Sequence, residues 1–357
     1  MSYDIFKPRL HAMNYKNFLY ATLIFLVMSF LLLPTWADSQ NTIMIVASYA
    51  RDDLCGRPQY LGVIQAIEES RYRNLPVRSI FLDSKRLPPA EIRSRIADAL
   101  AAIEKEHPKI ILTLDDLAFS EVGCRFAGAR DMYVVFSGVN RPLKFYNSKI
   151  SFLRGRIPIK NITGVYEYLF VKEQMEFLHM LLRKDGQVGL LYSTDFMGEI
   201  LKDQVTAELE GTSYAGRVKL FPVSDMEDLV RGLDRINADP GIVAYIPDTM
   251  SVLDREKERR MTIADLAPLL TRRARKMDLA INRAFTVAGF FGGVSVDFMH
   301  MGYQAGRQAV MLLDGFPVER LPVENADRYE IIINKKRLDD LSLKLDDQVL
   351  NMVDEFL

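Results

Sequence analysis

Residues that commonly form catalytic and metal sites are scarce in this chain. It contains four histidines and two cysteines among 357 residues, and each histidine stands alone, without the spacing of metal ligands. The Gly-x-Ser-x-Gly and His-Glu-x-x-His sequences of hydrolases and zinc proteases are both absent. We therefore predict that the protein is not an enzyme, carries no cofactor and binds no metal.

The sequence also lacks an excess of charge of either sign. Lys and Arg total 46 and Asp and Glu total 47, which gives a net charge of −1. Nucleic-acid-binding proteins usually carry a basic surface, so a nucleic-acid partner is not expected. With 49% hydrophobic and 26% charged residues, the composition is that of a globular protein. A length of 357 residues is enough for two domains.

The N-terminal segment 1–37 has the three regions of a secretory signal peptide. Basic residues come first, an apolar run follows at 18–33, and small residues precede a cleavage site between Ala37 and Asp38. The apolar run is shorter than the roughly 20 residues of a membrane-spanning helix. We therefore expect cleavage and a periplasmic mature protein. An uncleaved signal that anchors the protein in the membrane is the alternative.

The two cysteines, Cys55 and Cys124, each follow a predicted strand, at 41–47 and 109–114. Both should lie at the same edge of one sheet, and an exported chain meets oxidising conditions, which favour a disulfide between them. Two separate thiols are the alternative, because the geometry of a bridge cannot be read from a sequence.

Apolar strand-like segments alternate with helix-like segments over the remaining chain. The predicted strands are 42–47, 77–82, 109–114, 132–136, 187–192, 218–223 and 241–246. The predicted helices are 59–71, 89–105, 117–129, 171–182, 199–210, 226–236, 256–276 and 299–313. This order is typical of parallel sheets with helices on both faces. A break at 141–162 separates two such sets, so we predict an α/β fold of two doubly wound parallel-sheet lobes with a hinge and an interlobe cleft.

Polar and aromatic residues follow the predicted strands at their carboxyl ends, where ligands bind in such sheets. The candidate ligand-binding residues of the first set are Ser48, Tyr49, Asp52, Asp115, Asp116, Ser137 and Asn140. Those of the second set are Tyr166, Glu167, Ser193, Thr194, Asp248 and Thr249. Asp115 and Asp116 are suited to pair with the ammonium group of a ligand. The alternative for each Ser, Thr, Asp or Asn is a helix N-cap, which the turn after such a strand requires in any case.

Five segments resemble those of bacterial ABC transporter substrate-binding proteins with the type I periplasmic-binding fold. They are 134–140 (VVFSGVN), 161–165 (NITGV), 188–192 (VGLLY), 301–309 (MGYQAGRQA) and 331–334 (IIIN). Their order and spacing are most similar to the branch that serves aromatic amino-acid-type uptake or extracytoplasmic sensing. The resemblance covers about residues 42–350.

The resemblance implies a division into lobe 1, at 41–145 plus 294–318, and lobe 2, at 160–290 plus 322–357. It implies a monomeric solute-binding protein that closes its lobes on a small polar or amino-acid-like ligand and delivers that ligand to an inner-membrane ABC permease. A periplasmic sensory protein that reports ligand binding to a membrane kinase or cyclase is the alternative.

Overall fold

The computed structural model describes residues 42–248 and 251–357. Its strands are β1 Ile43–Ala47, β2 Val77–Phe81, β3 Ile110–Leu114, β4 Tyr133–Val139, β5 Leu153–Arg154, β6 Ile157–Pro158, β7 Ile162–Tyr166, β8 Gln187–Ser193, β9 Val218–Val223, β10 Ile242–Asp248, β11 Ser251–Asp254, β12 Arg259–Thr262, β13 Met277–Asp278, β14 Gly292–Val296, β15 Glu324–Asn325, β16 Tyr329–Ile333 and β17 Glu355–Phe356. Its helices are α1 Gly56–Glu68, α2 Pro89–Glu106, α3 Asp115–Glu121, α4 Leu143–Ile150, α5 Val171–Leu182, α6 Phe196–Leu209, α7 Met226–Ala238, α8 Ile263–Arg273, α9 Arg283–Val287, α10 Phe298–Leu313, α11 Lys335–Asp340 and α12 Asp347–Leu350. The predicted signal peptide, 1–37, lies outside the described residues, and so does Thr249. Within the described ranges, no helix combines the length and the apolar character needed to cross a membrane.

Six parallel strands form the first sheet, in the order β15-β7-β4-β3-β1-β2. Strand β1, which lies between β3 and β2, is buried along its whole length because helices cover both faces of the sheet. Its alternate residues face opposite sides. Ile43 and Ile45 pack with α1 and α10, whereas Met44 and Val46 pack with α2 and α3. The continuous apolar run of this strand therefore reflects burial on two sides.

A second parallel sheet has the strand order β13-β10-β8-β9. Strand β14 lies beside it through bridges from Leu279 to Gly292 and from Asn282 to Val296, and it continues into β16 and β17. We call the first sheet with α1–α4 and α10 the first lobe, and the second sheet with β14, β16, β17 and the other helices the second lobe. The structure confirms the predicted α/β class with two parallel-sheet lobes.

Three strands lie in a different sheet from the one implied by the predicted lobe ranges. Strands β7 and β15, which those ranges place in lobe 2, are hydrogen-bonded to each other and to β4 in the first sheet. Strand β14, placed in lobe 1, pairs with β16. The chain thus passes between the sheets after β7, after β14 and after β15. The residue ranges of the lobes remain a prediction.

Three predicted segments have another local structure. The predicted helix 256–276 is wrong at its start, because β11 and β12 form an antiparallel hairpin and α8 begins only after Thr262, whose capping box with Asp265 starts the helix. The predicted helix 117–129 is the shorter α3 followed by a 3-10 turn. The predicted linker 141–162 contains α4 and the β5–β6 hairpin.

The cysteines are free in the structure, so the disulfide expected between Cys55 and Cys124 is not formed. Cys55 packs against the core on the α1 and α10 side of the first sheet, whereas Cys124 packs against the core on the α2 and α3 side. The sequence placed both residues at the same sheet edge, but it did not show that they lie on opposite faces. Burial raises the pKa of each thiol to about 12.

Helices α1 and α10 approach each other so closely that glycine is required at their contact. A Cβ atom at Gly62 would lie 1.9 Å from the backbone oxygen of Met299, and one at Gly302 would lie 2.0 Å from the backbone oxygen of Gln59. Side-chain atoms are excluded at such distances, so the two backbones are in direct contact. This packing fixes the start of α10, which borders the site described below.

We predict that Gly62→Ala lowers the free energy of unfolding by about 1–3 kcal/mol or more, because the new methyl group forces the two helices apart. The gain in helix propensity, about 1 kcal/mol, does not offset this cost. Urea unfolding measures the effect. Gly56→Ala in the same helix is the matched control, since the nearest atom to its Cβ is at an ordinary 3.4 Å; equal stability of the two variants would contradict the prediction.

Candidate functional site

A small enclosed cavity lies where the carboxyl ends of the strands of both lobes meet. Its lining residues in and beside the first sheet are Tyr49, Cys55, Lys85, Asp115, Asn140, Glu167 and Phe298. The remaining lining residues are Leu169, Met197, Leu201, Ile281 and Asn282. The cavity measures about 30 Å³, far below the roughly 300–1,000 Å³ of typical small-molecule pockets. The two lobes are therefore closed on each other at this point.

Asp115 is the most unusual residue of the cavity. It is the first residue of α3 and has a left-handed backbone, with φ of 68°. A residue other than glycine seldom adopts this conformation, and such strain tends to occur at functional sites. The side chain is buried, and its Oδ2 atom has no hydrogen-bond partner among the described residues. Burial, reinforced by the charge of Glu167, raises the pKa of Asp115 well above its ordinary value.

Glu167 is a second buried carboxyl group, and it follows β7 where the chain leaves the first sheet. Burial is the main reason that its pKa is raised, to about 8. The charge of Asp116 acts in the same direction. Two carboxyl groups that resist ionisation thus lie in one small cavity, and each would be more easily ionised beside a cation.

Lys85 is the one basic side chain among the described residues that line the cavity. Its ammonium group donates to both carboxylate oxygens of Asp53, at 3.0 and 2.8 Å, and lies 3.8 Å from the centroid of the Tyr49 ring. This lysine is therefore already paired with Asp53, and its charge lowers the pKa of Asp115 and Glu167 by less than burial raises it.

Asp116, the neighbour of Asp115, has a different position. Its carboxylate accepts hydrogen bonds from the backbone N–H groups of Asn140 and Arg141, at 3.0 and 3.1 Å, and from the Tyr146 hydroxyl at 2.6 Å. Burial raises the pKa of Asp116, and these three hydrogen bonds oppose that effect. The side chain holds the loop after β4 in place and is not among the residues that line the cavity.

Three further predicted site residues stabilise the surroundings of the cavity. The Ser48 hydroxyl donates to the backbone oxygen of Leu114 at 2.8 Å and accepts from the N–H of Ala118. The Ser137 hydroxyl accepts from Gln59 at 3.0 Å. The Tyr166 hydroxyl donates to the backbone oxygen of Asn140 at 2.8 Å.

The other predicted site residues lie away from the cavity. Asp52 is exposed and forms an ion pair with Arg86. The Ser193 hydroxyl donates to Asp195, which caps α6, and Thr194 is on the surface. Asp248, at the end of β10, is completely buried, and burial raises its pKa well above the ordinary value.

The structure thus brings together Tyr49, Asp115, Asn140 and Glu167 from the predicted set. The sequence analysis missed the apolar wall, formed by Leu169, Met197, Leu201, Ile281 and Phe298, and three further residues, Cys55, Lys85 and Asn282. Lys85 and Asn282 carried a usable signal, because each follows a strand or strand-like segment. The apolar residues carried none, since an apolar residue on a helix is ordinarily part of the core.

The cavity is lined by both polar and apolar residues, which favours an amphiphilic ligand. The polar residues include Asp115, Glu167, Asn140 and Asn282, and the apolar residues include members of α6 and the start of α10. Across the described part of the chain, no three His, Cys, Asp or Glu side chains are grouped in a way that could hold a metal ion.

Comparison with known proteins agrees with the architecture. The family described as "ABC transporter substrate binding protein" matches residues 274–357. The Tyrosine-binding protein of Clostridioides difficile (strain R20291) is 22% identical over 190 residues, which make up 52% of this chain and 51% of the relative. This chain therefore matches about half the length of that relative.

Solved structures are similar over nearly the whole described chain. The ABC domain of a Streptococcus pneumonia protein in complex with L-Trp has a TM-score of 0.63 at 17% identity, and covers 88% of this chain and 100% of its own. CD0873, a substrate-binding protein with adhesive properties from Clostridium difficile, in its ligand-free, open form, has a TM-score of 0.67 at 14% identity, with 89% and 99% covered. A conserved domain protein of Vibrio cholerae has a TM-score of 0.66 at 13% identity, with 89% and 100% covered.

At these identities the solved structures establish the fold. Together with the match of residues 274–357, they confirm the resemblance to ABC transporter substrate-binding proteins and the predicted type I periplasmic-binding architecture. The matched family binds substrates, which agrees with the prediction of a binding protein that is not an enzyme.

We predict that Glu167→Gln removes part of the pH dependence of stability. The folded protein keeps the Glu167 proton between about pH 4.5 and pH 8, whereas the unfolded chain loses it near pH 4.5. Rising pH therefore destabilises the wild-type fold across this window, by on the order of 2–4 kcal/mol from this group. Glutamine cannot ionise, so the variant should match the wild type at pH 4 and be more stable at pH 8.5.

Urea unfolding at a series of pH values measures this difference. Glu104→Gln, at an exposed position of α2, is the control and should follow the wild-type curve. A Glu167→Gln curve parallel to that of the wild type from pH 4 to pH 8.5 would show that Glu167 does not retain its proton in the fold.

Proposed function

We propose that this chain is an extracytoplasmic solute-binding protein that encloses an amino-acid-like ligand between its lobes and delivers it to an inner-membrane ABC permease. The observation that carries the proposal is the buried Asp115 carboxyl group, which lines a cavity between two lobes and has one oxygen that no residue of 42–248 or 251–357 hydrogen-bonds. The fold supports binding by lobe closure, because ligand contacts made only in the closed state shift such a protein towards closure.

The charges around the cavity support a ligand with an ammonium group. Asp115 and Glu167 are buried, and Lys85 is occupied by Asp53. An ammonium group placed between the two carboxyl groups favours their ionised forms and supplies charge-assisted hydrogen bonds to oxygens such as Asp115 Oδ2. The amide of Asn282 is suited to the carboxylate of the same ligand, because its oxygen accepts from the N–H of Ala284 and its N–H groups point to no partner among the described residues. Asn140 already donates to Gln204.

The apolar lining of the cavity supports a ligand with a large apolar side chain. Met197 and Leu201 are one helical turn apart on α6, and they line the cavity together with Phe298 from the start of α10. Two of the similar proteins are described with aromatic amino acids, one as a tyrosine-binding protein and one in complex with L-Trp. We therefore propose L-tyrosine and L-tryptophan as the first ligands to test.

The size of the cavity supports a cycle of opening and closing. At about 30 Å³ it holds water but no amino acid. A ligand therefore has to bind while the lobes are further apart, and the chain passages after β7, β14 and β15 are where a hinge motion must occur. The lobes would then close on the ligand to a wider separation than in the present structure.

Export and partner choice are proposed from the sequence together with the family. A cleaved signal peptide at 1–37 would place the protein in the periplasm, where an ABC permease receives its ligand. The sensory alternative uses the same closure to signal to a membrane kinase or cyclase. The genes next to this one distinguish the two: permease and ATPase genes support uptake, and a kinase or cyclase gene supports sensing.

We predict that an amino-acid ligand raises the melting temperature of the mature protein and that Asp115→Asn abolishes the increase. A ligand at 100 times its Kd stabilises the folded state by about 2.7 kcal/mol. The amide at position 115 removes the negative charge and offers its own N–H groups to the ammonium, so this stabilisation should disappear. A thermal-shift screen with L-tyrosine, L-tryptophan, other amino acids, sugars and purines measures it.

Asp52→Asn is the matched control for this experiment. Asp52 was predicted for the same site from the sequence but is exposed, and its ion pair with Arg86 lies outside the cavity. The shift should survive this change. A wild-type protein stabilised by sugars or purines and by no amine, or an undiminished shift in Asp115→Asn, would count against the proposal.

A further inference from the structure

One contact joins the two lobes just outside the cavity. Arg141, which follows β4, places its guanidinium carbon 3.6 Å from the ring centroid of Phe145 and 4.6 Å from that of Phe196. Phe145 lies on α4 of the first lobe, and Phe196 begins α6 of the second lobe. Both distances fall within the range of about 6 Å for a cation–π interaction. One arginine thus bridges two aromatic rings that belong to different lobes.

Phe196 has no role within its own lobe that explains a phenylalanine at this position. The residue is 55% exposed and contributes to none of the hydrophobic cores of the described chain. The start of α6 does not depend on it either, because the Asp195 carboxylate already caps the helix by accepting from the N–H of Gly198 at 2.9 Å. The ring contact recorded for Phe196 is the one with Arg141.

The contact between Arg141 and Phe196 lies next to the cavity, where the two lobes close on each other. Asn140 and Met197 line the cavity, and Arg141 and Phe196 are their direct neighbours in the chain. The Arg141–Phe196 pair therefore belongs to the rim of the cavity, in the sense that each residue adjoins a lining residue in the chain and is not itself among the residues that line the cavity. Its geometry is fixed from the first lobe, since the backbone N–H of Arg141 donates to the buried Asp116.

A second contact between the lobes lies closer to the hinge. The amide of Gln204 accepts a hydrogen bond from Asn140 at 3.2 Å and donates one to the backbone oxygen of Glu167 at 2.6 Å, beside the passage after β7. Phe196 is eight residues earlier on the same helix, which places it about 12 Å farther along the helix axis. Atoms far from a hinge move more than atoms near it, so opening of the lobes separates Phe196 from Arg141 more than Gln204 from Asn140.

We infer that Arg141 and Phe196 form a latch that holds the lobes closed over the empty cavity, so that the contact has to break before a ligand can enter. The inference concerns the closure equilibrium of the protein itself, and it rests on the proposed function only where a ligand is used as a readout. Arg141 and Phe196 are positioning residues in this scheme. Loss of the latch raises the population of the open form, which is the form that admits a ligand, and the apparent Kd falls by the same factor.

The test compares Phe196→Ala and Arg141→Lys with Leu220→Ala. Leu220 is an apolar residue of β9 with a similar exposure, 46%, in the same lobe, and it is the matched control. Small-angle X-ray scattering without ligand measures the radius of gyration, which should increase in both latch variants and not in the control. Arg141→Lys keeps the charge and loses the planar group that stacks between the rings.

Calorimetry with L-tyrosine and L-tryptophan supplies the second measurement. The strength of an exposed cation–π contact corresponds to a Kd about two- to fivefold tighter in Phe196→Ala, because less of the protein is held in the closed form that excludes the ligand. Because the ring lies outside the cavity, both amino acids should bind more tightly by the same factor, with faster association. Phe196→Leu, which keeps an apolar side chain without a π face, should behave like Phe196→Ala.

Three results would overturn the latch. They are an unchanged radius of gyration in Phe196→Ala, wild-type behaviour of Phe196→Leu, and a change in the ratio of the two affinities, which would show that the ring contacts the ligand. Failure of the wild type to bind either amino acid would count against the proposed ligand alone, because scattering without ligand still decides whether the latch holds the lobes together.

Discussion

The structure around the cavity depends on one buried carboxylate, that of Asp116. It accepts two backbone N–H groups from the loop after β4 and the hydroxyl of Tyr146 from α4. These bonds fix Asn140 on the cavity wall and Arg141 on its rim. The left-handed backbone of Asp115 directs its own side chain differently, towards the cavity. The two adjacent aspartates thus have different roles. Asp116 holds the loop after β4 in place, whereas the Asp115 carboxyl group keeps an oxygen free to accept a hydrogen bond from a ligand.

Much of this arrangement could be predicted from the sequence because a parallel sheet collects the carboxyl ends of its strands at one edge. The runs that became β1 and β3 are apolar throughout, which indicates burial on both faces and hence helices on both sides. Residues directly after such strands must lie near one another. Tyr49, Asp115 and Asn140 line the same cavity for this reason. Glu167 lines it too, because β7 belongs to the same sheet.

The rest depended on tertiary structure that local patterns do not record. The charged stretch around 256–262 reads as a helix, yet it forms the β11–β12 hairpin because Val252 and Met261 are buried against the second sheet. The position of a polar residue after a strand does not determine whether its side chain lines the cavity. Ser48 and Ser137 both lie at strand ends, but their hydroxyl groups bond to Leu114 and Gln59 instead. The same limit applies to Cys55 and Cys124, which share an edge but not a face.

Stability and binding are opposed at Asp115. A buried oxygen without a hydrogen-bond partner costs on the order of 1–3 kcal/mol, and the charge of Glu167 raises the cost of ionising Asp115. Selection for stability alone would favour a hydrogen-bond donor beside this oxygen, such as the donors beside Asp116. The Asp115 oxygen instead lies at a small cavity that apolar residues also line and that a contact between the lobes adjoins. Binding of a cationic group removes the unfavourable free energy of the buried Asp115 oxygen. Because this stabilisation requires the ligand, the closure of the lobes depends on the ligand.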